Sequence, residues 1–226
     1  MNIEVCCNSV FSVQIAEKLG ASRVELCQNL LQDGLTPSLE LLQEVCESHA
    51  IPIHVLIRPR EGDFFYSTSD LKRIDEAIHQ AHKFSIAGIV VGHMNREKGV
   101  DPALLRQWRT LTQGLELTFH RAFDQVAEPF NVLEHLIEAG FNRILSSGQQ
   151  PTAALGIDLL QDLQKVAGTS LEVMPGGGIN DKNAPLFLDA GFKSIHLSAK
   201  SATHPAHLEP IIDPYILKNV ITQSSK

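Results

Sequence analysis

No apolar run in this sequence reaches the roughly 18 residues that a membrane span requires, so no membrane partner is expected. Cysteine is sparse. Cys6, Cys7, Cys27 and Cys46 are too few and too unevenly spread for a disulfide framework, and they read as thiols of a reducing compartment. Basic residues are outnumbered, 19 Lys and Arg against 26 Asp and Glu, and the formal charge of −7 excludes a general nucleic-acid grip. Met1–Val5 lacks the basic and apolar regions of a signal peptide and reads as a strand, which predicts a cytoplasmic location. What remains is ordinary globular composition, 43% apolar and 20% charged over 226 residues. That is enough for one barrel and hardly enough for two domains.

The chain is one repeating unit. Eight β-like runs (3–6, 23–27, 52–57, 88–91, 116–119, 143–145, 171–174 and 194–197) alternate with amphipathic helical patterns. Thr36-Pro37, Asp101-Pro102 and Glu128-Pro129 place proline at the first helical position, and Ser67–Asp70 can form a capping box. Helix exits repeat: Leu19-Gly20-Ala21, Ala139-Gly140-Phe141 and Ala190-Gly191-Phe192 each put glycine at the C-cap shortly before a strand. This array predicts a single-domain (β/α)8 TIM barrel over 1–226, with its core in about 1–200 and a tail at 201–226. The last helix is expected to be short or irregular, confined to Tyr215–Thr222 after a loop-like Ser201–Pro210.

Strand parity then assigns faces. One parity is apolar (Ile3 and Val5, Val24 and Leu26, Ile53 and Val55) and must lie under the helices. The other points inward and carries Glu4 and Cys6, Glu25 and Cys27, His54 and Arg58, Thr118 and His120, Glu172, His196 and Ser198. An ordinary barrel fills this space with aliphatic residues. A bland account pairs Glu4, Glu25 and Glu172 with Arg23, Arg143 or histidines, because a buried charge is costly unless paired.

At the strand ends, where TIM barrels carry their sites, several groups could act. Cys6 and Cys27 share parity on neighbouring strands and could enter one ligand sphere for a soft ion such as Cu(I); buried free cysteine is equally a small hydrophobe. The absence of a Cys-x-x-Cys pair or Met-rich tract counts against a dedicated copper carrier. Arg58 and Arg60 flank Pro59 as a candidate carboxylate or phosphate clamp, or as partners of the interior glutamates. His120 or Glu25 could serve as acid or base; Asp124 could orient His120 or cap the next helix, and Arg121 lies beside them. Gly176, Gly177 and Gly178 after the seventh strand, with Ser198 after the eighth, occupy the usual place of a barrel anion site, or merely make a tight turn. No nucleotide cofactor is expected; the partner is a copper ion or a small anionic metabolite, and a homodimer is compatible with the sequence.

In this order the motifs Glu4-Val5-Cys6, Arg23-Val24-Glu25-Leu26-Cys27, Gly34–Ser38, Ile57-Arg58-Pro59-Arg60, Gly62-Asp63-Phe64, Thr118–Asp124, Ser147-Gly148-Gln149, Met174–Gly178 and His196 resemble the CutC-type copper homeostasis family. They span residues 1 to about 200. The resemblance implies a TIM barrel, a cytoplasmic protein and an association with copper tolerance. Two departures show: Glu61 stands where the family usually has glycine, and the segment after Lys200 is short. The competing function is a TIM-barrel enzyme acting on a small phosphorylated or carboxylated metabolite, since the Arg, His and Gly groups have no obvious duty toward Cu(I).

Overall fold

Short β-rich runs, buried on both faces, give strands that cannot stand alone, and all eight pair in parallel. They are β1 Asn2–Cys7, β2 Arg23–Leu26, β3 Ile53–Leu56, β4 Gly88–Val91, β5 Glu116–Phe119, β6 Arg143–Ser146, β7 Glu172–Pro175 and β8 Ser194–Leu197. The computed structural model describes residues 1–201, 207–209 and 211–224. Sheet order runs from β7 through β1 to β8; β8 pairs with β1, and the β7–β8 seam closes through a parallel bridge between Gly176 and His196. The expected (β/α)8 barrel is therefore what forms.

Helices α1 Val10–Leu19, α2 Leu39–Ser48, α3 Thr68–Ala81, α4 Pro102–Leu111, α5 Pro129–Glu138, α6 Ile157–Ala167, α7 Ala184–Asp189 and α8 Pro214–Ser224 follow the strands. Ser9, Ser38 and Ser67 cap α1, α2 and α3 by accepting from the backbone N–H three residues on. Pro102 and Pro129 open α4 and α5 as predicted, whereas Pro37 lies before the Ser38 cap, outside α2. The repeated exit glycines Gly20, Gly140 and Gly191 adopt φ of 92°, 82° and 80°, a left-handed geometry that side chains resist. Glu61 is not among the residues of positive φ; Gly62 takes that position at φ 86°, so the departure from glycine at 61 imposes no strain.

The closing helix corrects an expectation. α8 is regular over 11 residues, and among the described residues the shortest α-helix is α7, with six. Buried Leu217 and Val220 seat α8 between α1 and α7, and the Met1 amino group donates to the Ser224 carbonyl at 3.2 Å. Most of the loop-like 201–210 segment lies outside the described residues. No described helix is long and apolar enough to cross a membrane.

The apolar parity packs under the helices with Trp108, Phe119, Phe123, Phe141 and Phe187, all fully buried. Each such side chain is worth roughly 1.5–3 kcal/mol of burial, and the interior of the barrel is left to the polar parity.

Candidate functional site

The barrel floor carries a chain of polar side chains. Glu4 pairs with Arg23, and Arg23 reaches Ser194. Ser194 donates to Glu172, which accepts from Arg143 at 2.8 Å. Arg143 also donates to Glu116 at 3.0 Å; Glu116 faces Nε2 of His54 at 3.4 Å, and Nδ1 of His54 returns to Glu4 at 3.7 Å. Every strand but β4 contributes a side chain. β4 supplies Gly88, where an added Cβ would come within 2.8 Å of Nε2 of His54, so the missing side chain is what lets His54 span to Glu116. The paired-core account of Glu4 and Glu172 thus holds. Burial alone would raise the Glu4 carboxyl, but Arg23, His196 and His54 hold it well below the usual carboxylate range. Burial holds His54 down at about 4.

One layer above lie the thiols. Cys6 Sγ is 3.4 Å from Cys27 Sγ and 3.9 Å from Oε1 of Glu25. Glu25 and His196 flank Cys6, and ligand atoms of Cys6, Glu25 and His196 lie within 4.8 Å of one another. Nδ1 of His196 is 2.7 Å from Glu4. The contact with Cys27, together with burial, raises the Cys6 thiol well above its ordinary value. For Cys27 the bond from Cys6 acts downward, but burial and Glu25 prevail and raise it. Burial pushes Glu25 up to about 7, and its Oε2 is buried without a partner among the described residues. Burial disfavours His196 carrying a proton, yet Glu25, Cys6 and Glu4 outweigh it and lift the imidazole well above its usual value. Leu56, Val90 and Leu30 close an apolar collar around the two sulfurs. Leu30 opens a short 3-10 turn, Leu30–Gln32, and its backbone N–H donates to Glu209.

The strand-end groups fall out differently from expectation. Arg58 directs Nη1 to the carbonyls of Gln32 and Gly34, and Nη2 to that of Gly62, so its terminal nitrogens tie two loops together. Arg60 is engaged by Asp63 and Asp70 and by the carbonyls of Glu61, Asp63 and Phe65. Neither arginine pairs with an interior glutamate. Asp124 neither orients His120 nor caps α5; it accepts from Ser146 Oγ, from the N–H and Oγ of Ser147, and from Arg121, anchoring the loop after β6. Its carboxylate is thereby taken up by a neighbouring loop, while Nδ1 of His120 accepts from the Ala122 N–H at 3.1 Å. Burial, reinforced by Arg58, depresses His120 to about 3.

Arg121 also donates to Ser147 Oγ at 3.0 Å and lies against Gly177, where an added Cβ would stand 3.4 Å from its Cζ. Gly176 pairs across the seam to His196, whereas Gly177 and Gly178 adopt φ of 112° and 72°. Ser198 is half-buried on the strand-eight side. The structure brings Cys6, Cys27 and Glu25 together and keeps Arg58, His120 and the glycine loop on other strands.

Two residues that matter here stand outside the candidate set drawn from sequence. His196 shares the parity of Cys6, and only the β1–β8 pairing reveals that the two are neighbours. Tyr66 carries no motif signal; it is buried, with the Arg60 guanidinium 5.2 Å from its ring centroid.

Similarity to known proteins identifies the family. The Streptococcus agalactiae CutC, named as a candidate copper homeostasis protein, superposes with a TM-score of 0.82 at 30% identity, covering 88% of this chain and 98% of its own. The family protein CutC of Photobacterium profundum is 38% identical over 209 residues, 92% of this chain and 85% of that protein. Its counterpart in Yersinia pseudotuberculosis serotype I is 42% identical over 200 residues, 87% and 78% of the two chains. With the CutC family model matching residues 1–201, this chain belongs to the CutC family.

Proposed function

We propose that this protein serves copper homeostasis in the cytoplasm by holding Cu(I) between Cys6 and Cys27, with His196 as a further donor. The carrying observation is the 3.4 Å approach of two buried sulfurs beside an imidazole that Glu4 already orients. Thiolate and imidazole donors suit a soft monovalent ion, and a carboxylate behind a ligating histidine fixes its ring and raises its basicity. The thiols are protonated without metal, and a coordinated ion removes those protons itself. A reducing compartment keeps both the thiols and Cu(I) in the required state. Leu30 packs against the cluster that contains both thiols. Anaerobic Cu(I) loading followed by metal analysis tests the reading. Stoichiometric uptake lost in the Cys6→Ser, Cys27→Ser double variant supports it; unchanged stoichiometry refutes the site.

One observation favours a second reading, an enzyme acting on a small phosphorylated or carboxylated metabolite. Glu25 is a buried carboxyl held at about 7 with one oxygen unpartnered, a combination suited to proton transfer near neutrality. Arg121 with Gly176–Gly178 and Ser198 would then hold the anion, because the terminal nitrogens of Arg58 and Arg60 are engaged. A thermal-shift screen of sugar phosphates and short acids, repeated on Glu25→Gln and Arg121→Ala, separates this reading from the first.

A further inference from the structure

Three adjacent strands bring three different donors together inside the barrel. Cys6 on β1 lies opposite Glu25 on β2 in the sheet register. β8 sets His196 opposite Glu4, two residues before Cys6 on the same strand. One ligand atom from each, the Sγ of Cys6, a carboxylate oxygen of Glu25 and a ring nitrogen of His196, lies within 4.8 Å of the other two. All three are shut away from solvent: Cys6 and Glu25 are 8% and 5% exposed, and the His196 side chain 12%.

Glu25 is the member that Cu(I) leaves without a duty. Its Oε1 faces the Cys6 sulfur at 3.9 Å, while Oε2 is buried without a partner among the described residues. A buried carboxylate is tolerated when it is paired or when it coordinates a metal. Cu(I) on Cys6, Cys27 and a neutral His196 would leave a net negative charge beside that carboxylate. A divalent ion on one thiolate, one carboxylate and one neutral imidazole has no net charge, the balance that a buried site needs. The donor types agree, because zinc takes thiolate, imidazole and carboxylate together, whereas a carboxylate contributes little to Cu(I).

We propose that Cys6, Glu25 and His196 form a site for a divalent ion, zinc, with water in the fourth position. The site shares Cys6 and His196 with the copper reading but does not rest on it, and the two ions exclude each other. For bonds of about 2.0–2.3 Å, a tetrahedral ion holds its donors about 3.3–3.8 Å apart. Cys6 Sγ and Glu25 Oε1 are already close to that span at 3.9 Å. Glu4 holds Nδ1 of His196 at 2.7 Å, which leaves Nε2 as the ligating nitrogen and places a carboxylate behind it, as at many zinc-bound histidines. Cys27, 3.4 Å from the shared sulfur, belongs to the copper pair and is not a zinc ligand.

The test uses the full chain, metal-free and reduced, titrated anaerobically with zinc, Co(II) and Cu(I), with chromogenic chelators as competitors for zinc and Cu(I). One zinc should bind per chain. Co(II) in the same place should show the d–d bands of four-coordinate cobalt and a thiolate-to-cobalt charge-transfer band. Glu25→Gln keeps the size of the side chain and removes the anionic donor. Its zinc affinity should fall about 100-fold, since losing a ligand costs no less than losing an outer partner, while its Cu(I) affinity stays that of the parent. Cys27→Ser should do the reverse, keeping zinc and losing Cu(I). A parent that takes zinc but not Cu(I) would sink the copper reading and leave this one standing. No zinc uptake by the parent, a Co(II) spectrum without the charge-transfer band, unaltered zinc affinity in Glu25→Gln, or zinc lost from a folded Cys27→Ser overturns the proposal.

Discussion

Glu4 holds Nδ1 of His196 at 2.7 Å from within the barrel, leaving the other ring nitrogen as the one available to the thiol layer. The same carboxylate carries Arg23, so it links the structural floor to the proposed metal site. Glu4→Gln should therefore act twice. Leaving Arg23 buried without its charge partner should destabilise the fold by about 3–5 kcal/mol in urea unfolding. Removing the carboxylate behind the histidine should also weaken Cu(I) binding about 10- to 100-fold, read by competition with a chromogenic chelator. A variant that loses stability and keeps full Cu(I) affinity would remove His196 from the ligand set.

Acid should destabilise the protein through its buried histidines. Burial holds His120 at about 3 and His54 at about 4, against roughly 6.5 in an unfolded chain. Their contribution is fully present above 6.5 and is lost as pH falls through that value toward the folded ones, because the unfolded chain takes up protons that the native state refuses. His196, shifted upward, acts in the opposite sense. The difference between parent and His120→Phe isolates one group: the variant's denaturation midpoint should depend less steeply on pH between 6.5 and 3. Equal slopes would show that His120 is not held neutral.

Gly92→Ala tests the gap that admits the His120 ring. With the new methyl 2.3 Å from ring atoms, either the imidazole or the strand must move. The expected cost is about 1–3 kcal/mol, as for overpacking elsewhere, together with loss of the His120 Nε2–H signature in 15N spectra. A stable variant with an unchanged His120 spectrum would refute the packing argument.

Asp124→Asn should separate two roles that the sequence leaves open. The carboxylate accepts from Ser146, Ser147 and Arg121, and its neutral replacement should cost about 2 kcal/mol. It makes no bond to His120, so the His120 tautomer should be unaffected. A changed tautomer in Asp124→Asn would restore the orienting role.

Much of the fold was legible because the barrel repeats one physical solution. Gly20, Gly140 and Gly191 mark helix exits by a conformation that other residues resist, and alternating apolar residues mark the outward face of each strand. The polar interior was legible by the same parity. α8 was harder: Pro214 opens a helix whose apolar stripe makes sense only against α1 and α7, the first of which lies nearly a chain length away. The partners of the arginine motif were hidden for a different reason. Two guanidiniums beside a proline suit an anion, but carbonyls of Gln32, Gly34 and Gly62 had already claimed the ends of Arg58.

By itself, then, the sequence determined the repeat, the parallel barrel and which side chains face its axis, since strand period and helix punctuation are local properties. Tertiary structure alone decided which inward groups meet. Closure of β8 onto β1 brings His196 to Glu4 across 192 positions of sequence and sets it beside Cys6. The glycines at 88 and 92 let His54 and His120 reach across β4. Hydrogen bonds and ion pairs act over a few ångströms and saturate. Whether a polar atom is engaged, like the guanidinium of Arg60, or lacks a partner among the described residues, like Oε2 of Glu25, therefore depends on neighbours that no local pattern names.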